Sequence, residues 1–182
     1  MSIIITGNPG VGKHTVCKEI LKHLRYSVLD INSVAKESGL LEANGDTNDV
    51  DVEKLADIIG QKISDSSLVV GHLAPYVVCP EKADKVIVLR RDPYDLLKVY
   101  GNRGYTEQKA RENAASEILG IISHDAIARF GNKVFEVNVT GKNIVEVSDV
   151  VTDIIKGDGH SEQVDWLDMV ARKNDLKKFF AD

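Results

Sequence analysis

The run Ile3-Ile4-Ile5-Thr6 reads as a short buried strand, and the chain leaves it through Gly7-Asn8-Pro9-Gly10-Val11-Gly12-Lys13-His14-Thr15. After that turn the apolar residues Val16, Ile20, Leu21 and Leu24 recur at helical spacing, which predicts a packed helix over about residues 13 to 24. A strand that runs through a glycine-rich turn into a helix forms a concave ring of backbone N–H groups at the positive end of the helix dipole. Such a ring holds polyphosphate. A Gly-Lys pair alone carries little weight, but here the spacing G-x-x-x-x-G-K-[ST] is met at every position except the last, where His14 stands. Gly7, Gly10, Val11, Gly12, Lys13, His14 and Thr15 are therefore the candidate residues for a nucleoside triphosphate, with Lys13 reaching its β- and γ-phosphates.

At 182 residues the chain is long enough for one domain with a proper core. No apolar run approaches the roughly 20 residues that span a membrane, and the N-terminus enters a strand with no basic leader. A cytoplasmic protein is expected. Cys17 and Cys79 lack metal-ligand spacing and read as small core residues. The net charge of −5 argues against retention on nucleic acid and suits a basic protein partner. Five arginines, Arg90, Arg91, Arg103, Arg111 and Arg129, form a local source of anion contacts.

Further strands are predicted at Ser27–Asp30, Leu68–Val70, Lys85–Leu89 and Val134–Val137. Between them lies a helix from Val52 to Ile63 with Asp51 as N-cap. Another runs through Ile155, opened by an Asn143/Glu146 capping box. The stretch Ala43 to Asp49 reads as a mobile polar loop. Residues 156–160 read as a hinge before a short helical tail around Trp166. Strands alternating with helices give an α/β fold with a parallel sheet, whose ligands gather at the carboxyl ends of the strands. That rule selects Asp30 and Asn32 after the second strand, His72 after the third, and Arg90 and Arg103 after the fourth. Asn32 reads equally well as a helix N-cap, His72 as a buried structural histidine, and Arg90 as a strand cap.

The phosphate loop, Gly71-His72, the Val88-Leu89-Arg90 strand end and Arg103-Gly104-Tyr105-Thr106-Glu107-Gln108-Lys109, with Glu112-Asn113 and Glu117-Ile118, resemble one family. It is the adenylate-kinase-like ATPases of small-subunit ribosome assembly, the coilin-interacting nuclear ATPase group and its archaeal counterparts. The likeness covers about residues 1 to 120, with a weaker echo at Val164-Asp165-Trp166-Leu167. The resemblance implies a P-loop nucleoside-monophosphate-kinase fold with a five-stranded parallel sheet in the order 2-3-1-4-5. It also implies a monophosphate-binding segment at about 30–52, a short lid at about 103–113 and a tail at about 158–182. ATP with Mg²⁺ would be the phosphoryl donor and a nucleoside monophosphate the acceptor, with ATPase activity beside the transfer. Lys13, Arg103 and His72 would be catalytic; Asp30, Asn32 and Arg90 would meet the acceptor. A basic small-subunit ribosomal protein is an implied partner, and direct nucleic-acid binding is not expected.

Three residues depart from the family pattern. His14 replaces the hydroxyl that ligates Mg²⁺, Val70 stands in place of an acidic residue, and Val99 stands in place of a second lid arginine. Imidazole suits Mn²⁺ better than Mg²⁺, and Thr15 lies about 100° round the helix from position 14. No side chain is assigned as a metal ligand. A weakened kinase is expected; the rival reading is a nucleotide-gated assembly factor with little catalysis.

Overall fold

A computed structural model describes residues 2–44 and 47–180. β1 (Ser2–Thr6) leads through the glycine-rich turn into α1 (Lys13–Ile20), which ends four residues sooner than the apolar spacing predicts. β2 (Ser27–Asp30) and α2 (Ile31–Glu37) are followed by a short hairpin, β3 (Leu41–Asn44) and β4 (Thr47–Val50), then by α3 (Val52–Lys62) and β5 (Ser67–Val70). After α4 (Ala74–Val77) come β6 (Ala83–Arg90), α5 (Pro93–Asn102), α6 (Glu107–Leu119), α7 (Ile121–Phe130) and β7 (Val134–Asn138). The chain closes with α8 (Ile144–Lys156), α9 (Trp166–Arg172) and α10 (Leu176–Phe180).

Five strands form one parallel sheet in the order β2-β5-β1-β6-β7. Counted along that sheet alone, this is the expected 2-3-1-4-5. β1, β5 and β6 are apolar on both faces because helices cover both. Ile3, Ile5, Val70 and Leu89 pack toward α1, α5, α6, α8 and the C-terminal helices. Ile4, Val69, Val86 and Val88 pack toward α2, α3, α4 and α7. Successive residues of β1 thus serve opposite cores, as the two-residue period of a strand requires. The chain leaves β1 in one direction to β5 and β2, and in the other to β6 and β7. The crevice at the carboxyl end of β1 is therefore the place where a ligand binds in a sheet of this kind.

The stretch Ala43 to Asp49, read as a loop, lies in the hairpin instead, with Leu41 opposite Val50 and Asn44 opposite Thr47. Backbone pairing here proceeds without the apolar alternation that would have announced it; positions 45 and 46 lie outside the described residues. Asp51 caps α3 by accepting from the Lys54 amide, as expected. Asp30, not Asn32, caps α2, accepting from the Ser33 N–H at 2.8 Å. At α8 both halves of the capping box are present: Asn143 Oδ1 accepts from Glu146 N at 3.1 Å and Glu146 Oε2 from Asn143 N at 2.7 Å. Replacing Asn143 by Ala strips two orphan amides of their acceptor and is expected to lower unfolding free energy by ~1 kcal/mol. Urea unfolding should show a reduced midpoint at unchanged slope.

Candidate active site

The turn after β1 follows a path that only glycine fits at its start. Gly7 has φ +132°, and a Cβ there would lie 2.4 Å from the Leu89 carbonyl oxygen of the neighbouring strand. Gly12, at φ +101°, is the left-handed N-cap of α1 and turns the following amides inward. The loop is clamped from outside by α5, where the buried Tyr100 hydroxyl donates to the Pro9 carbonyl at 2.7 Å. Arg91 Nη1 donates to the Gly10 carbonyl at 3.2 Å.

Lys13 is 7% exposed and folds back over this loop, donating from Nζ to the Gly7 and Asn8 carbonyls at 2.8 and 2.9 Å. Burial first, and then the charge of Arg103, together lower its pKa to about 8 against an upward pull from Glu117. An ammonium that is poorly solvated and close to another cation gains much from an arriving phosphate. His72, just after β5, is pushed down to about 4 by burial and by Lys13, so its imidazole is neutral at pH 7.

Two adjoining cavities meet at these residues. The smaller, about 260 Å³, is walled by Gly10, Gly12, Lys13, His14, Thr15 and Arg103. The larger, about 580 Å³, runs toward Leu41 and Val50 of the segment between β2 and α3, Val52 at the start of α3, and Lys109 and Asn113 of α6. Pro9, Asn32, His72 and Tyr105 belong to both walls. A third groove of about 200 Å³ opens on the outer side of the loop, between Thr15 of α1, Arg91 and Val147 of α8.

The loop residues Gly10, Gly12, Lys13, His14 and Thr15 thus come together with Arg103, Asn32 and His72, while Val11 lines the outer groove. Arg103 caps the C-terminus of α5 at the tip of the α5–α6 turn. Arg90 does not join them. Its guanidinium is buried against Glu117, through Nε at 2.8 Å, and against Glu136, and it lines none of the three cavities. The strand end points it into the protein, so the expected acceptor contact is replaced by a structural one. Lys98, next to Val99 on α5, pairs with Asp95 at 3.1 Å and lines none of the three cavities. Val70 is fully buried among Ile5, Val16 and Leu89. Sequence reasoning assigned no role to Asn8, Tyr100 or Tyr105, and offered Arg91 for anion contacts where it holds the Gly10 carbonyl; Tyr105 stacks on Tyr100 with centroids 5.3 Å apart and so fixes the lid turn.

For a divalent ion the loop offers an unusual pair. His14 Nε2 contacts Asp30 Oδ2, and that carboxyl lies below its ordinary range because Ser33 N–H and His14 offset the burial that would raise it. Among the described residues no three His, Cys, Asp or Glu side chains converge on a metal position. The donor set therefore fits an ion carried mainly by phosphate and water, with His14 and Asp30 beside it.

Residues 3–120 match the family described as an AAA domain. The chain belongs to this AAA-domain family. Relatives of this AAA-domain chain include a Sulfurisphaera tokodaii protein named "putative adenylate kinase", 36% identical over 172 residues, covering 93% of this chain and 87% of that one. A Methanosarcina barkeri protein of the same name is 34% identical, covering 93% and 100%. One from Thermococcus kodakarensis is 34% identical, covering 86% of each. The crystal structure of an uncharacterised Eubacterium ventriosum protein superposes with TM-score 0.54 at 15% identity, over 86% of this chain and 98% of that one, which establishes a shared fold. Among the described residues no helix is long and apolar enough to cross a membrane.

A phosphate arriving beside Lys13 would stabilise its charged form, so triphosphate binding there would be coupled to proton uptake. The sign follows: the free pKa of about 8 rises on binding, so affinity is full below about pH 7 and falls as pH rises through 8. Calorimetric titration with ATP should show a decline of up to about tenfold per pH unit above that point, absent in Lys13→Met.

Proposed function

We propose that this protein transfers the γ-phosphoryl group of ATP to a nucleoside monophosphate, as an adenylate-kinase-like enzyme, and hydrolyses ATP slowly when water takes the acceptor's place. The observation that carries the reading is the pair of adjoining cavities with Lys13 and Arg103 in the smaller one and shared walls at Asn32, His72 and Tyr105. The names of the archaeal relatives support it. In the transfer, the bond from the γ-phosphorus to the β–γ bridging oxygen breaks, and ADP departs with that electron pair. A bond forms from an acceptor phosphate oxygen to the same phosphorus. An ionised acceptor needs no base, so the work is positioning and neutralisation. The loop amides and Lys13 hold the donor phosphates. Arg103 closes on the transferring group from the lid tip, and neutral His72 offers it a hydrogen bond without adding charge. Asp30 and Asn32 flank the acceptor side, Asp30 by fixing the start of α2.

A divalent ion bound with the nucleotide would screen its oxygens, and the imidazole of His14 favours Mn²⁺ over Mg²⁺ there. Turnover in Mg²⁺ is accordingly held down. The rival reading, a nucleotide-gated assembly factor, draws on the same contact: His14 engaged with Asp30 leaves the loop able to bind and slow to transfer. A role in small-subunit maturation through a basic ribosomal protein rests on the sequence resemblance and suits the net charge of −5. A cytoplasmic location accords with such a role.

The test is diphosphate formation from ATP with AMP, CMP, GMP or UMP in Mg²⁺ and Mn²⁺. Arg103→Ala is expected to lower kcat by about 100-fold or more with stability unchanged. His14→Thr should raise kcat in Mg²⁺ by about tenfold and abolish the Mn²⁺ preference. Val70→Glu is a poor companion, since an unpaired carboxylate among Ile5, Val16 and Leu89 costs fold stability. ATP binding without diphosphate from any acceptor would leave the binding-only reading.

A further inference from the structure

The Glu117 carboxylate near the end of α6 is 1% exposed, and four donors from three parts of the chain converge on it. Asn8 Nδ2 of the phosphate loop donates at 2.7 Å. At the end of β6, Arg90 Nε donates at 2.8 Å and the Arg91 backbone N–H at 3.0 Å. The fourth is the indole Nε1–H of Trp166, the first residue of α9, at 3.1 Å. The other end of the Asn8 amide is also held by α6, through Ser116 Oγ at 3.2 Å. Asn8 in turn presents its carbonyl to Lys13 Nζ at 2.9 Å. A continuous hydrogen-bonded path therefore runs from the C-terminal segment through Glu117 and Asn8 to the lysine of the phosphate loop.

A second grip lies on the other leg of the lid. α5 and α6 are the two arms of a helical hairpin whose tip carries Arg103 and Tyr105. At the base of α5, the Tyr94 hydroxyl donates to Asp175 at 2.7 Å, and Phe179 of α10 meets the Tyr94 ring edge-on at 5.3 Å. Lys173 and Lys178 sit over the same ring at 4.4 and 4.9 Å. Phe179 is buried, so α10 is seated on the body. The tail thus holds the bases of both arms, α5 at Tyr94 and α6 at Glu117.

We propose that the C-terminal segment from Asp165 to Phe180 is a brace for the nucleotide site, in which Trp166 and Glu117 are positioning residues that couple the tail to the phosphate loop and the lid hairpin. Burying a carboxylate is tolerable only with its lone pairs satisfied. Loss of the indole donor therefore leaves Glu117 to shift toward Arg90 and slackens its hold on Asn8. The coupling runs both ways: what tightens the loop tightens the tail. The inference rests on the triphosphate-binding half of the proposed function and does not require transfer.

Trp166 is the single tryptophan of the chain, so its emission reads the brace directly. In the full-length protein, ATP is expected to change that emission and to raise hydrogen-exchange protection over residues 166–180. Trp166→Phe keeps an apolar ring and removes the donor; ATP affinity should fall about 3- to 10-fold, and the added protection of the tail should be lost. Glu117→Gln, which keeps the shape and one acceptor oxygen, should weaken ATP similarly. Leu167→Ala, on the exposed side of the same helix, should leave affinity unchanged. A merely structural tail would lower the melting temperature in Trp166→Phe and leave the affinity of that folded variant intact, with the parent's Trp166 emission indifferent to ATP; that result overturns the brace. Weakened ATP binding in the variants with no diphosphate formed by the parent would sink transfer and keep the brace. A parent protein that binds no ATP would sink both.

Discussion

An ammonium group with little access to water sets the terms for much of this molecule. Lys13 is kept in place by two carbonyls of the loop that precedes it, so its charge is oriented but incompletely satisfied. Arg103 adds a second positive charge nearby, and the buried carboxylate of Glu117 offsets part of the repulsion. A polyanion entering the crevice would relieve both cations at once. That is what a site for phosphoryl transfer needs: charge placed in advance, where it costs no reorganisation during the reaction. The Leu89 carbonyl at Gly7, the Tyr100 hydroxyl on Pro9 and Arg91 on Gly10 all serve to hold that arrangement.

Around this loop the fold supplies two walls with different anchors. The segment between β2 and α3 makes one wall of the larger cavity, with α2 started by the Asp30 cap. The α5–α6 hairpin makes the other and carries Arg103 at its tip. Asp30 belongs to both the cap of α2 and the contact with His14, so the first turn of α1 is tied to the start of α2. His14 and Asp30 thus form a side-chain pair that bridges α1 and the end of β2.

The strands were legible because β1, β5 and β6 are covered on both faces and so read as unbroken apolar runs; the capping boxes and N-caps at Asp51 and Asn143 were legible because their chemistry is local. The β3–β4 hairpin was not, since its polar residues carry no alternation. In the site, Lys13 and its glycines were readable from spacing alone. Arg90 misled because position at a strand end says nothing about which way a long side chain turns; only the buried Glu117 and Glu136 decide it. Glu117 did leave a trace, a lone acid in the stripe Ala110, Ala114, Ile118 that faces the core. A carboxylate on such a stripe calls for a partner, but the partners come from Asn8 and Trp166, far away in sequence, and no local pattern connects them.

The central claim is that the two cavities around Lys13 and Arg103 hold donor and acceptor nucleotides together. Calorimetric titration with diadenosine pentaphosphate, which joins two adenosines through a phosphate chain long enough to occupy both, tests this most directly. The account predicts one molecule bound per chain, more tightly than ATP or AMP alone and displaced by each of them. Binding no tighter than ATP, with AMP unable to compete, would contradict it.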